Sequence, residues 1–145
     1  QGRDLRPKSK MRYRNAETES ECILSDFDRL MEHTDKPLII AEGFFDSHCV
    51  DGVSIFRNKM TPGQIKMLNK SPRRKIYVPD KRGQGYIGAL QAVEQGWDVS
   101  IPDIGSAKDI NESVCRHGKL FVMSSILNSA NSGPIAKMLI GTLCR

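Results

Sequence analysis

Short apolar runs alternate with helical stretches along most of the chain. Four of these runs are compact, are bounded by turn-forming or charged residues, and have the length and composition of buried strands; they are 37–41, 52–56, 75–79 and 97–101. The helical stretches have apolar residues three and four positions apart or strong helix formers; they are 23–31, 44–50, 62–70, 89–94, 110–115, 120–127 and 135–143. This alternation predicts an α/β fold, with an open, mainly parallel sheet of about four strands and helices on both faces.

Acidic residues follow the predicted strands at the ends that a parallel sheet gathers together. Glu42 comes directly after the run 37–41, Asp80 directly after 75–79, and the segment 103–109 follows the fourth strand. Ligands of open α/β sheets bind outside the carboxyl ends of the strands, so we expect these acids to form one cluster. Clustered carboxylates repel one another without a cation, and oxygen ligands suit Mg²⁺, so the pattern predicts a magnesium site. The alternative is that Glu42 and Asp80 each cap a helix.

The basic residues are unevenly distributed along the chain. The net charge is +5, and the first fourteen residues hold six bases and one acid, which leaves sixteen bases and sixteen acids in the rest. Residues 1–22 also hold few apolar side chains, so we predict a flexible basic arm, followed by a folded domain over 23–145 that ends in a helical extension. In this arm Arg12 and Arg14 are candidates to bind phosphates, and a solvated, mobile arm is the equal alternative.

A second basic group surrounds Asp80. It consists of Lys70, Arg73, Arg74, Lys75, Lys81 and Arg82. Bases around an acid are typical of phosphate chemistry. Four members of the group are therefore candidate ligands of phosphates or nucleic acid: Lys81, Arg82, Arg73 and Arg74.

A glycine pattern after the third strand offers a different interpretation. Gly83, Gly85 and Gly88 have the spacing of a dinucleotide-binding loop between a strand and a helix. That loop also needs an acid at the end of the next strand, but Asp98 lies inside this strand and Asp103 just after it. The match is partial, and NAD binding is the weaker hypothesis.

Length, composition and cysteine spacing exclude several classes of protein. With 145 residues, the chain makes one domain, or one domain with a tail, and not a multidomain enzyme. No apolar run approaches the roughly 18 residues of a membrane span, and we find no secretory signal, so we expect a cytoplasmic protein. The cysteines lack zinc-site spacing, and we expect reduced thiols and no disulfides. They are Cys22, Cys49, Cys115 and Cys144.

Three short motifs occur in order between residues 37 and 112. The first is Leu-Ile-Ile-Ala-Glu-Gly-Phe-Phe-Asp at 38–46, the second is Ile-Tyr-Val-Pro-Asp at 76–80, and the third is Ala-Lys-Asp-Ile-Asn-Glu at 107–112. Together they resemble the motifs of TOPRIM domains, which are shared by bacterial-type primases, topoisomerases and some nucleases. The stretch Gly-Trp-Asp-Val-Ser-Ile-Pro at 96–102 is most similar to the DNA primases of large tailed bacteriophages.

The resemblance implies a Rossmann-like TOPRIM fold and a metal-dependent nucleotidyl transfer that makes RNA primers on single-stranded DNA from nucleoside triphosphates. Glu42 and Asp80 would be catalytic, the same two acids and Asp109 would hold Mg²⁺ or Mn²⁺, and Asp46 matches a further acid near the site. A replicative helicase would be a partner and no membrane would be involved. The protein would work in the cytoplasm of a bacterium or a phage-infected host.

One position departs from the TOPRIM pattern. The second motif of the family has another acid two residues after the position of Asp80, and this chain has Arg82 there. The exchange changes the local charge by two units and weakens at least one metal position. Either Asp109 compensates, or Arg82 binds a substrate phosphate, or catalysis is lost. The alternatives to a primase are therefore a non-catalytic TOPRIM module that binds nucleic acid or replication partners, and a TOPRIM nuclease.

Overall fold

The structure is a computed structural model that describes residues 2–3, 13–14, 20–81 and 84–143. In these residues the strands are β1 (Gly2–Arg3), β2 (Tyr13–Arg14), β3 (Leu38–Ala41), β4 (Val53–Ser54), β5 (Lys75–Val78), β6 (Asp98–Ser100) and β7 (Ala130–Asn131). The α-helices are α1 (Phe44–His48), α2 (Pro62–Asn69), α3 (Gly85–Glu94), α4 (Ile110–His117), α5 (Lys119–Asn128) and α6 (Gly133–Leu143). Two 3₁₀ helices, Ser20–Cys22 and Phe27–Met31, precede β3.

Five of the strands form one sheet in the order β4-β3-β5-β6-β7. The first four are parallel, and β7 pairs antiparallel with β6, with Val99 opposite Asn131. The mainly parallel α/β sheet is confirmed, but it has five strands where the sequence predicts about four. The sequence does not predict β7, because this strand has only two residues, without an apolar run, and forms through a pairing distant in sequence.

Two predicted elements differ from those in the structure. The α-helix predicted over 23–31 is wrong, since this segment forms only the 3₁₀ helix Phe27–Met31 after Asp26, whose φ is +46°. The strand predicted over 52–56 is shorter, and β4 covers only two of its residues. The backbone of Phe56 has φ +58° and therefore cannot extend the strand.

Alternate residues of a strand point to opposite faces of the sheet, so β3 contributes to two apolar layers. One layer joins β3 to α2, α3 and α6, through Leu38, Ile40, Leu68, Ala89 and Ile140. The other joins β3 and β5 to α4 and α5, through Ile39, Ile76, Ile110, Val122 and Ile126. Helices therefore cover both faces, as the sequence predicts, and these two layers fix the positions of the strand ends.

The guanidinium of Arg73 forms its hydrogen bonds inside the protein. Its side chain is 4% exposed and donates to the backbone carbonyl oxygens of Arg29, Lys36 and Pro37 at 2.8–2.9 Å. A carboxylate oxygen of Glu32 lies 3.3 Å from its Nη1. Arg73 thus joins the segment before β3 to the segment before β5.

We expect the substitution Arg73→Leu to lower the free energy of unfolding by about 2 kcal/mol, because three carbonyl groups lose their charged donor. The matched control is Arg74→Leu. Arg74 is 57% exposed and pairs with Asp98 at the surface, and its loss should change stability by less than about 0.5 kcal/mol. Urea denaturation of both variants checks this prediction, and equal effects would contradict it.

Some expectations concern residues that the structure describes only in part. The boundary between the arm 1–22 and the domain stays a prediction, because most of the arm lies outside the described residues; within it β1 and β2 pair antiparallel. Cys22, Cys49 and Cys115 are free thiols, as expected, and Cys144 lies outside the described residues. None of the helices in the described part of the chain is long and apolar enough to cross a membrane.

Candidate active site

The acids at the ends of β3 and β5 lie side by side. These strands are parallel neighbours with Ala41 opposite Val78, so the chain leaves both strands at the same edge of the sheet. The backbone N–H of Asp80 donates a hydrogen bond to Oε1 of Glu42 at 3.2 Å. The structure therefore brings together the two acids that the strand ends single out.

Glu42 is half-buried against the start of α3. The hydroxyl of Tyr77 donates to Oε1 of Glu42 at 3.4 Å. A Cβ atom on Gly85 would lie 2.4 Å from the carbonyl oxygen of Asp80 and 2.8 Å from Oε1 of Glu42, so this position accepts only glycine. Burial raises the pKa of Glu42 to about 6, and the negative charges of Asp80 and Asp46 add to the rise. A nearby cation would offset both effects.

Asp46 brings a third carboxylate to this region. It lies in the first turn of α1, and its Oδ1 accepts a hydrogen bond from the backbone N–H of Asn111 in α4 at 3.0 Å. Burial raises the pKa of Asp46, and the charges of Asp109 and Asp80 raise it further. The acid therefore joins α1 to α4 beside the strand ends.

Asp109 is the N-cap residue of α4. Its Oδ1 accepts a hydrogen bond from the backbone N–H of Glu112 at 2.7 Å, and its Oδ2 lies 3.8 Å from Nζ of Lys108. In contrast, Glu42 and Asp80 are not N-cap residues of the helices that follow them, since those positions belong to Gly43 and Gln84. The helix-capping alternative is therefore wrong for Glu42 and Asp80. Among these acids it is Asp109 that caps a helix.

The acids line a cavity of about 960 Å³ at the carboxyl edge of the sheet. Its charged wall consists of Glu42, Asp46, Arg57, Asp80, Lys81, Lys108 and Asp109. Aromatic side chains from α1 and from the segment after β4 complete the wall. A cavity of this volume can hold a ligand of nucleotide size.

The carboxylates of this cavity fit the donor preference of Mg²⁺. No three His, Cys, Asp or Glu side chains among the described residues are close enough to form a complete metal site. Mg²⁺ usually binds through one or two carboxylates and keeps several waters, so it does not need a complete protein cage. The adjacent Glu42 and Asp80, at a cavity that admits water, meet this requirement.

The basic candidates fall into three groups. Lys81 lies on the wall of the cavity. Arg73 and Arg74 precede β5 and thus lie at the amino edge of the sheet, opposite to the acids. The structure therefore does not bring these two arginines to the site, and Arg73 has the structural role described above. Arg12 and Arg82 lie outside the described residues, and of Arg14 only the backbone, in β2, is described.

Two glycines of the dinucleotide pattern, Gly85 and Gly88, have packing roles in the structure, and Gly83 lies outside the described residues. Gly85 makes room for Glu42, and a Cβ atom on Gly88 would lie 2.0 Å from the hydroxyl oxygen of Tyr77. Asp98 begins β6 at the amino edge and pairs with Arg74 at 2.6 Å. This acid cannot contact a ribose at the carboxyl edge. Asp103 does follow β6 at that edge, but its Oδ1 accepts a hydrogen bond from the N–H of Gly105 and it does not line the cavity, so neither acid supports the NAD hypothesis.

Two features of the site are absent from the sequence-based candidates. Tyr77 supports Glu42 from within the sheet, and its signal is a tyrosine in an otherwise aliphatic part of a buried strand. The second feature is a group of phenylalanines at the cavity, formed by Phe44, Phe45 and Phe56. For two of them the available signal is a pair of consecutive aromatic residues that follows the strand-end acid Glu42 and Gly43.

Comparison with known proteins yields structural neighbours only. No family model and no curated protein matches the chain. One solved structure, of the DnaG catalytic core, superimposes with a TM-score of 0.60 and 15% identity, over 90% of this chain and 52% of that one. The chain shares the fold of about half of a primase catalytic core. A second, of the RNA polymerase domain of Mycobacterium tuberculosis primase DnaG, gives 0.60 and 13%, over 86% of this chain and 48% of that one.

This similarity confirms the Rossmann-like TOPRIM fold that the motifs indicate. It concerns the fold alone, because the sequence identities are 15% and 13%. The chain also spans about half the length of the two primase structures. The placement of Glu42 and Asp80 at the carboxyl edge of the sheet therefore comes from the geometry of this chain, and the comparisons add only the shared fold.

Proposed function

We propose that this chain is the TOPRIM domain of a phage-type DNA primase, which makes RNA primers on single-stranded DNA by metal-dependent nucleotidyl transfer. The observation that carries the proposal is the pairing of Glu42 and Asp80 at the carboxyl edge of a sheet with the fold of primase catalytic cores. Open α/β sheets bind ligands at this edge, and adjacent carboxylates suit a hard divalent cation.

The residues of the cavity divide into two roles. Glu42 and Asp80 would hold Mg²⁺ or Mn²⁺, with Asp109 and Asp46 as further acids of the wall. The bound ion would neutralise charge on the transferring phosphate. Lys81 on the same wall supplies a positive charge for nucleotide phosphates. The hydroxyl of Tyr77 and the backbone N–H of Asp80 both donate to Oε1 of Glu42 and orient its carboxylate.

A non-catalytic TOPRIM module that binds nucleic acid is the second candidate. Arg82 in place of the second acid of the motif favours it. A TOPRIM nuclease is the third candidate, and it would cleave DNA with metal but without nucleoside triphosphates.

The partners follow from the proposal. Single-stranded DNA and nucleoside triphosphates would be the substrates, and a replicative helicase would recruit the domain to DNA in a bacterium or a phage-infected cell. The chain covers about half of the primase structures that it matches, so we place template selection and helicase contact among the properties of a complete primase.

Primer synthesis on single-stranded DNA tests the proposal. We expect the native protein, with labelled nucleoside triphosphates and Mg²⁺, to form short RNA, and Asp80→Asn to reduce this product by about 100-fold or more. The matched control is Asp103→Asn. Asp103 follows β6 at the same edge but accepts a hydrogen bond from the N–H of Gly105 and does not line the cavity, so this variant should stay active.

The same gels separate the three candidates. DNA cleavage that needs metal but no triphosphates indicates the nuclease. Salt-dependent DNA binding that Asp80→Asn leaves intact, without RNA or cleaved DNA, indicates the binding module. Either result would overturn the proposal of a primase.

A further inference from the structure

Three phenylalanine rings form one group at the wall of the cavity. The rings of Phe44 and Phe56 are nearly parallel, at 9° with centroids 6.5 Å apart. The ring of Phe45 meets that of Phe44 edge to face, at 69° and 5.5 Å. All three line the cavity that contains Glu42 and Asp80. We call Phe44, Phe45 and Phe56 the aromatic group.

Phe56, a member of the aromatic group, has an unfavourable backbone conformation. Its φ of +58° lies in the left-handed region, which a bulky side chain adopts rarely and only when its surroundings enforce it. The buried hydroxyl of Ser54 accepts the N–H of Phe56 at 3.0 Å and donates to the carbonyl oxygen of Glu42 at 2.8 Å. The side chain of Ser54 therefore fixes the position of Phe56 relative to the backbone of Glu42.

Phe45 presents its ring to solvent instead of to the core. It is 63% exposed, whereas Ser47 in the same helix is buried. The wall of the same cavity also carries Lys81 and Lys108 together with the acids, and Nζ of Lys108 lies 3.8 Å from Oδ2 of Asp109. A flat apolar surface next to cations is complementary to a ligand with a planar ring and phosphates.

None of the other aromatic residues whose side chains the structure describes lines this cavity. Trp97 is 6% exposed, and its indole N–H donates to Asn69 at 3.0 Å. Tyr86 packs against the apolar layer of α2, α3 and α6. Phe121 is 45% exposed but belongs to α5 and does not line the cavity. Among the described residues the aromatic group is thus distinguished by its place beside the acids.

We propose that the aromatic group binds an unpaired nucleobase by stacking, and that the exposed ring of Phe45 provides the stacking face. The inference deepens the proposed function, on which it rests, because it assigns a base subsite to the cavity of Glu42 and Asp80. The base belongs either to a nucleoside triphosphate or to a single strand, and both carry phosphates that Lys81 and Lys108 attract. Stacking tolerates any base, since each has a π-face.

Binding measurements without turnover test this inference. We compare the native protein, Phe45→Leu and Phe45→Tyr for affinity to ATP, to a short oligothymidylate and to an abasic oligomer of the same length. Loss of one stacked base weakens binding by about 5- to 150-fold, and we expect this loss for Phe45→Leu with ATP or oligothymidylate. Phe45→Tyr keeps an aromatic ring and should bind like the native protein. The ligand that loses affinity identifies the source of the base.

The abasic oligomer separates stacking from phosphate contacts. It should bind the native protein and Phe45→Leu equally well, because neither complex contains a stacked base. The control Phe121→Leu makes the same change on another exposed phenylalanine and should bind all ligands like the native protein. Unchanged affinities of Phe45→Leu for both ATP and oligothymidylate would overturn the inference, as would an equal loss for the abasic oligomer.

Primer synthesis measured in parallel keeps this inference distinct from the proposed function. A native protein that stacks bases through Phe45 but makes no primer supports the base subsite and contradicts the primase. A native protein that makes primers, with Phe45→Leu unchanged in binding, supports the primase and contradicts the base subsite. Because Phe45 is mostly exposed, its replacement should leave the fold intact, which thermal unfolding checks.

Discussion

The substitution Glu42→Gln is expected to lower metal-dependent primer synthesis by about 1,000-fold. Glutamine has nearly the same shape as glutamate, and its carbonyl oxygen can still accept the hydrogen bonds from Tyr77 and Asp80. The variant therefore removes the negative charge and little else. Ligands that stabilise charge at a transferring phosphate contribute several kcal/mol, which corresponds to about three powers of ten in rate.

Stability provides an internal check on this substitution. The charge of Glu42 is half-buried and lies near Asp80 and Asp46, so in EDTA its removal should leave the melting temperature unchanged or raise it. We expect Mg²⁺ to raise the melting temperature of the native protein more than that of Glu42→Gln. Glu94→Gln, on the exposed face of α3, is the matched control. Full activity of Glu42→Gln would exclude Glu42 as a catalytic acid.

The position of the candidate site could be predicted from the sequence because it depends on the direction of the chain and on which strands are neighbours. In a parallel sheet the carboxyl ends of neighbouring strands meet at one edge, so Glu42 and Asp80 had to converge once β3 and β5 were adjacent. The same rule accounts for Arg73 and Arg74. They precede β5 and so belong to the opposite edge, although they are only a few residues from Asp80 in the sequence. The edge at which a residue lies is decided by its position before or after the strand, and not by its distance from Asp80 in the sequence.

Other parts of the structure depend on contacts that a local pattern does not contain. β7 forms because Ala130 and Asn131 lie beside β6, and a segment of two residues has no periodicity of its own. The exposure of Phe45 and the left-handed backbone of Phe56 likewise follow from tertiary packing. A phenylalanine in an amphipathic pattern is usually part of the core, so the sequence alone favours the opposite assignment for Phe45.

The substitution Gly88→Ala is expected to lower the free energy of unfolding by about 3 kcal/mol. In an open helix this exchange would stabilise by roughly 0.5–1 kcal/mol. Here a Cβ atom would lie 2.0 Å from the hydroxyl oxygen of Tyr77, 2.6 Å from its Cζ and 3.0 Å from the carbonyl oxygen of Asn58. Tyr77 is fully buried and cannot move aside without disturbing the core, so the steric cost outweighs the helix gain.

Denaturant unfolding of four variants tests this prediction. They are Gly88→Ala, Gly141→Ala, Tyr77→Phe and the double variant of Gly88→Ala with Tyr77→Phe. Gly141→Ala in α6 is the matched control, because no atom lies within 4 Å of the added Cβ, and it should raise stability slightly. Tyr77→Phe removes the atom in closest contact, so in combination with Gly88→Ala it should recover at least about 1 kcal/mol relative to the sum of the single effects. Strict additivity of the two substitutions would show that Gly88 does not make room for the Tyr77 hydroxyl. Because the same hydroxyl donates to Glu42, Gly88→Ala should also reduce primer synthesis, whereas Gly141→Ala should not.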